Sequence, residues 1–403
     1  MRLLRVLALA AMCSIGSCAT TVPGTPTTDP SRAVRLDVGN YPTSPRTVLP
    51  AARPADAYQQ EGWRIADAVI TMTDVDGSLV KTVTRAFPLI STKQLAPSLL
   101  PHFTADQAAE LGRSGWLAGY VDNRGDVAAT TGRWGSAGLL RFKDAASAER
   151  ALTAITPAGA FPAPSVPGAR VSRVRAERIG GRDLVSLVAQ KGEVWAVAAA
   201  FMPDARSASA VAERALQAQA ARFPDYRPSA LDRTDGYPMD SESMMSLVLP
   251  AGADKRVVEY GLSEDRNLAT GYRSARAELH LWSTDDSRYA LVQGADAQAV
   301  ASSGDTSYVT RFATSAAAKK YFDGQYALPA TGSDWQIPGV SPTAGRCMID
   351  VQIPSPINET KVTRVSMCGV QVGRYVHETA APFSAKARQQ AAASYLILQS
   401  APR

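Results

Sequence analysis

Histidine and cysteine are scarce in this chain, three and four among 403 residues. So few leave little material for a His/Cys metal centre, and no metal ligand is assigned. Beyond the N-terminus no apolar run approaches the roughly 18–20 residues that span a bilayer. Lys and Arg exceed Asp and Glu by 43 to 37, a net charge of +6, but they form no basic run. Nucleic-acid binding is therefore without support. The motifs of familiar chemistries are missing too. There is no Gly-x-Ser-x-Gly elbow, no His-Glu-x-x-His, no Walker loop and no Gly-x-Gly-x-x-Gly. No catalytic residue is assigned, and no cofactor is expected.

What is present is the composition of a folded chain, 45% hydrophobic and 20% charged. Its length suffices for two domains, each with its own core. The first eighteen residues are the most informative. Arg2 and Arg5 begin a mostly apolar stretch from Leu3 to Ile15, too short to span, which has the layout of an export signal. It ends in Ile15-Gly16-Ser17-Cys18, an aliphatic residue, two small residues and a cysteine. That pattern resembles the bacterial lipobox, in which the cysteine thiol receives a diacylglycerol before cleavage in front of it. Cys13 follows the bulky Met12 and fits less well. Residues 1–17 are thus expected to be a lipoprotein signal peptide, with Cys18 the lipidation site. Residues 18–35, rich in Thr and Pro, read as a tether that can bury no core.

Two cysteines remain, Cys347 and Cys368. They flank two β-like runs, 347–353 and 362–368, with Pro354, Pro356 and Asn358 between them. An antiparallel hairpin turning about residues 357–358 sets the two cysteines opposite each other, close enough for a disulfide.

The chain also repeats itself. Arg-Phe recurs at 141–142 and 311–312, each time followed by a polar cap (Asp144; Thr314 or Ser315) and an Ala-rich helix. Val166-Pro-Gly168 is echoed by Ile337-Pro-Gly339, and each copy closes with a helix, Ser207–Phe223 and Ser384–Leu398. Gly180-Gly181 and Lys191-Gly192 separate β-rich runs as hairpin turns do. The expected fold is α+β: two tandem related domains, each an antiparallel sheet with helices packed on one face, ferredoxin-like in flavour. The N-terminal domain covers 36–226, a linker 227–239, and the C-terminal domain 240–403 with the disulfide hairpin.

Further groups of residues could carry chemistry. Ser78-Leu-Val-Lys81 has the spacing of penicillin-interacting enzymes but sits between a turn and a strand, and Asp74-x-Asp76-Gly77 reads as a turn rather than a calcium loop. His102 precedes the capping box Thr104-x-x-Gln107, His280 alternates with Leu279 and Leu281 as in a strand, and His377 follows Tyr375-Val376. All three read as surface or half-buried structural residues. Arg170, Arg173, Arg175 and Arg178 form a basic strand, with Arg173 and Arg175 expected on one solvated face. The six tryptophans are expected to pack the two cores, with Trp134, between Gly132 and Gly135, a candidate for lining a groove.

Leu36-Asp-Val-Gly-Asn-Tyr-Pro-Thr-Ser-Pro-Arg46, Trp63-Arg-Ile-Ala-Asp67 and Asp74-Val-Asp76 resemble the opening of a family of actinobacterial envelope lipoproteins. That family is common in mycolic-acid-bearing genera and carries a domain of unknown function. Arg346-Cys347, Cys368, Val372-Gly-Arg-Tyr-Val376 and the run Gln389–Leu396 are similar to its end. The resemblance implies a lipid anchor and a paired cysteine, and no catalytic residues. Three readings follow. The first is an envelope protein, lipid-anchored at Cys18 to the extracytoplasmic face of the cell membrane, that binds a small molecule, lipid or glycan without catalysis. The others are an interaction or scaffold protein of the envelope, and a hydrolase or transferase with an unrecognised site.

Overall fold

The computed structural model describes residues 36–403 except 52, 85, 96–101, 159–163, 232–235, 241, 251–256, 259–269, 305, 328–334, 355–361 and 402–403. The export signal, Cys18, the tether and the 357–358 turn lie outside the described residues.

The chain begins with a two-residue strand β1 (Thr47–Val48) and helix α1 (Pro54–Ala66), which opens on a proline that has no N–H to leave unsatisfied. A short strand β2 (Lys81–Thr82) and α2 (Ala105–Arg113) follow. Then come β3 (Trp116–Gly125), β4 (Trp134–Phe142), α3 (Ala145–Ile155), β5 (Arg170–Ile179), β6 (Arg182–Lys191), β7 (Val194–Met202) and α4 (Ala205–Ala220). The second half runs β8 (Val257–Val258), β9 (Gly271–Ser274), α5 (Ala275–Leu279), α6 (Ser287–Gly294), β10 (Ala297–Ser303) and β11 (Ser307–Phe312). It finishes with α7 (Ser315–Gln325), β12 (Gly345–Pro354), β13 (Val362–Val372), β14 (Tyr375–Ala381) and α8 (Ser384–Gln399). Local chemistry sets the boundaries. Asp144, Asp204 and Thr314 each accept the N–H of the residue three positions on, and Thr104 with Gln107 completes a capping box. Gly180, Gly181 and Gly192 sit at positive φ in the two hairpin turns.

The two halves build the same sheet. The N-terminal order is β2-β3-β4-β7-β6-β5, and the C-terminal order, from the corresponding edge, is β9-β10-β11-β14-β13-β12. All pairings within both sheets are antiparallel. The tandem α+β architecture expected from the repeat is the one observed. The layering is fuller than expected, because helices cover both faces of each sheet. Leu139 and Ala137 of β4 face α4 through Ala208, Ala212 and Leu216, whereas Leu140 and Phe142 face α3 through Leu152 and Ile155. In the other half α8 packs on Val370 and Tyr375, and α7 on Phe312 and Val376. Alternation along each strand makes both faces apolar, so one helix layer would have left half of that surface wet. This two-sided layering and the six-strand order, in which two three-strand meanders meet at β4-β7 and at β11-β14, also depart from a ferredoxin-like arrangement.

Leu36–Arg403 is one compact unit, and the halves are interlocked within it. The N-terminal segment lies on the C-terminal sheet. Leu36, Val38 and Tyr41 pack against the α8 core, the Arg46 N–H donates to the Ser246 carbonyl at 2.9 Å, and β1 pairs in parallel with β8. In return, the lead of the second half lies on the first sheet: Ala277 and Leu281 join the α1–α4 core, and the Thr284 N–H donates to the Val80 carbonyl. Gln59 and Gln60 of α1 reach the carbonyls of Thr270 and Tyr272.

Candidate functional site

Charged groups concentrate inside the molecule, where desolvation makes each an expense unless it is paired. On β3, Asp122 and Arg124 alternate onto the face that receives α5. The Arg124 Nε donates to Asp122 at 3.0 Å, and its Nη1 to the Trp282 carbonyl at 2.8 Å. His280 Nδ1 stands 3.0 Å from Asp122 Oδ1, and the Met72 N–H donates to Oδ2 at 2.9 Å. Burial favours the neutral acid, but the Arg124 charge and the His280 and Met72 hydrogen bonds outweigh it and lower the Asp122 pKa. Next to this group, Arg273 of β9 donates to Glu278 at 2.6 Å and to Ser302 at 2.7 Å, under the Trp63 ring. Trp282 Nε1 donates to the other Glu278 oxygen. A third pair, Arg288 and Glu378 at 2.9 Å, is completed by the Tyr321 hydroxyl, also at 2.9 Å from the carboxylate.

A fourth centre is Glu61 on α1. Its fully buried carboxylate receives Arg141 of β4 and Arg64, both at 2.6 Å, and the hydroxyls of Tyr226, Ser229 and Tyr237. Desolvation raises its pKa, but the Ser229 and Tyr226 hydrogen bonds and the charges of Arg64 and Arg141 prevail and hold it at about 2. The segment expected to be a linker is thereby pinned to α1.

The histidines depart from expectation in burial: all three are interior. His280 ends helix α5 rather than standing in a strand, because Ser274 caps the Ala277 N–H and starts a helical turn. His102 Nε2 lies 2.7 Å from the Ser136 hydroxyl. Burial and the nearby Arg175 charge drive the His102 pKa down to about 3. Such an imidazole is a poor base, and its Nδ1 has no hydrogen-bond partner to orient it, so the pair lacks the third member of a nucleophilic triad. His377, on β14, is held the same way at about 3 by burial and the Arg46 charge, between Ser307 and Ser394. Among the described residues no three His, Cys, Asp or Glu side chains gather as a metal site would require.

The remaining candidates are structural. Ser78 bonds Asp76 in a turn, while Lys81 starts a strand and pairs with Asp285 across the two halves. Trp134 is buried and stacked on Phe201, so it lines no groove. Each arginine of β5 has an acidic neighbour: Glu149 for Arg170, Glu213 for Arg173, Glu177 for Arg175 and Asp183 for Arg178. Arg173 and Arg175 do not share a face. A bulge between them opposes Arg173 to Leu187 and Arg175 to Ser186, sending one toward α4 and the other toward the Phe103 carbonyl. A concavity of about 450 Å3 lies open on α3, lined by Ala146, Glu149, Arg150, Thr153 and Ala154. Cys347 and Cys368 are bonded, as directly opposed residues of β12 and β13.

Nothing in composition or spacing marked Glu61, Asp122 or Glu378. The one available signal is a charged residue inside an apolar strand, as in Tyr120-Val-Asp-Asn-Arg124. Comparison with known families decides the kinship. Residues 49–239 match the N-terminal part, and residues 245–401 the C-terminal part, of a domain of unknown function, DUF7373. The chain belongs to the DUF7373 family. No curated protein and no solved structure matches it. In this DUF7373 protein the family division falls between 239 and 245, just after the Glu61-bound segment.

Proposed function

We propose that this DUF7373 protein is an actinobacterial envelope lipoprotein, exported, anchored through a lipid at Cys18, and working without catalysis. The observation that carries the export reading is the Cys347–Cys368 bond, since disulfides persist in oxidising compartments and are rare in the cytosol. It agrees with the signal-like residues 1–17 and with Ile15-Gly-Ser-Cys18. Two or three acyl chains suffice for stable anchoring, at about 0.8 kcal/mol per buried methylene.

Within that setting the protein binds another envelope component through its outer surface. The support is the interior itself: the buried carboxylates of Asp122, Glu278 and Glu61 are taken up by Arg124 and His280, by Arg273 and by Arg141, and the concavity on α3 is open rather than enclosing. Enclosure of a small molecule, lipid or glycan is the second reading. Two measurements test these statements. Cys18→Ala should leave the precursor uncleaved or move the protein out of the detergent phase, whereas an unmodified Cys18 in the wild type would end the anchor reading. Native mass spectrometry of protein extracted from its own envelope should show protein adducts. A stoichiometric small-molecule adduct would instead establish the second reading.

A further inference from the structure

Among the large apolar side chains, Phe383 stands out at 73% exposed, against 42% for Ile179 at the β5–β6 turn. It precedes α8, and Lys386 and Gln389 follow at intervals of three, so the three residues run along one outer ridge of that helix. Lys386 is exposed like Phe383. From Thr379 to the C-terminus the sequence holds no Asp or Glu. Arg364, exposed on β13, continues the α8-covered face of the sheet two residues past the Ser366–Ala381 pair, on the side of Phe383. At the other end of the ridge Gln389 donates to Asp37 at 3.0 Å, and Leu36 packs on the same core as α8. The described chain therefore starts about 9 Å along the helix from Phe383, at 1.5 Å per residue. Cys18 lies 18 residues before Leu36.

We infer that this ridge is a membrane-contact surface: Phe383 inserts among phospholipid headgroups while Lys386 and Arg364 meet their phosphates. The inference rests on the lipid-anchor reading of Cys18, which places the start of the described chain near a bilayer. An aromatic side chain flanked by bases, with no acid on its helix, has the chemistry of an interfacial anion-attracting patch. On the other sheet, by contrast, the arginines of the edge strand β5 each have an acidic neighbour.

The test uses the full lipidated protein, reconstituted into phosphatidylcholine vesicles containing phosphatidylglycerol. Ala385→Cys, beside the intact Phe383, carries an environment-sensitive fluorophore; Ile179→Cys, at the exposed β5–β6 turn of the other sheet, serves as the control. Lipids with a nitroxide at headgroup depth should quench the label at 385 and spare that at 179. Phe383→Ser should abolish the difference, and Lys386→Gln should weaken contact about fivefold, the factor for roughly 1 kcal/mol per basic residue at an anionic surface. If Cys18 carries diacylglycerol and the protein floats with the vesicles while both labels stay unquenched, the anchor stands and the ridge proposal is overturned. If Cys18 is unmodified and the protein does not float, the anchor reading fails and the ridge falls with it.

Discussion

The two halves agree more closely in backbone than in side chains. In each, a register shift opens the second sheet strand, at Trp116/Ala118 and at Ala297/Ala299, just after a residue of positive φ, Gly115 or Asp296. The carbonyls of those two residues accept the N–H groups of Lys143 and Ala313. Phe142 and Phe312 donate to the carbonyls of Glu193 and Arg374, each just past a positive-φ glycine, Gly192 or Gly373. Apart from the shared Arg-Phe pair, side chains at matching positions often differ in kind. Where the second half opposes Cys347 to Cys368, the first opposes Arg173 to Leu187. Where the first half lays the long helix α1 over its sheet, the second uses the 3-10 turn Met245–Leu247 and borrows Leu36 and Val38 from the N-terminal segment. Turn and bulge geometry has few solutions, whereas many side chains can fill one volume.

The strongest way to test the equivalence is to empty both copies of one position. Phe142 packs on Trp195, with ring centres 4.4 Å apart, and Phe312 on Tyr321 at 5.0 Å; both are fully buried. Phe→Ala at either should cost about 3–5 kcal/mol in denaturant titration. A loss below about 1 kcal/mol at one of them would break the correspondence. Because the halves are interlocked, each substitution should move a single unfolding transition of the whole chain. Two separated transitions would show that the interlock is weak.

Equivalence was legible from Arg-Phe, the caps and the Val/Ile-Pro-Gly echo because these are local signals. So were the hairpins at Gly180-Gly181 and Lys191-Gly192. The charged interior was not. Glu61 meets partners 80, 165, 168 and 176 residues away. Periodicity says which face a residue takes, not whether another element arrives to cover it. The histidines were misplaced for the same reason, and one extra residue in β5 reversed the facing of Arg175, which no alternation rule can anticipate.

The disulfide sharpens the comparison at the sheet edges, since it braces β12 whereas the corresponding edge strand β5 has no such bond. Replacing Cys347 and Cys368 together by alanine should destabilise the chain by about 2–5 kcal/mol. A thermal scan of the double mutant should show no change on adding reductant. Thiol titration of the denatured wild type without reductant should find neither cysteine free.

Acid should weaken the halves in two stages. His102 in one half and His377 in the other are held neutral, with pKa values lowered from 6.5 to about 3. The unfolded chain binds protons there that the folded chain refuses, so stability declines as pH falls below about 6.5. The slope is about 1.4 kcal/mol per pH unit for each histidine. Glu61 acts lower down. Its folded pKa of about 2, against 4.5, gives stability that is complete above about 4.5 and is lost as pH falls toward 2, about 3 kcal/mol in all. Stability measured between pH 7 and 4 should lose one proton's slope in His102→Phe and another in His377→Phe. Equal slopes in wild type and both variants would show that the histidines are not neutral in the fold.

The smallest effect comes from the residue that the repeat makes equivalent to Arg141. Arg141 and Arg311 occupy the same place, beside Phe142 and Phe312, and each meets a glutamate: Glu61 and Glu242. The environments differ. Glu61 is sealed, and removing Arg141 leaves a buried carboxylate short of a counter-charge, at about 3–5 kcal/mol. Glu242 has a side chain 39% exposed and keeps the Tyr272 hydroxyl at 2.6 Å, so water and that tyrosine can take over when Arg311 is removed. Arg311→Ala should therefore cost no more than about 1 kcal/mol, and added salt should shrink the difference from wild type. A cost for Arg311→Ala equal to that of Arg141→Ala would mean that sequence position, rather than the covering supplied by α1 and residues 226–237, sets the strength of these pairs.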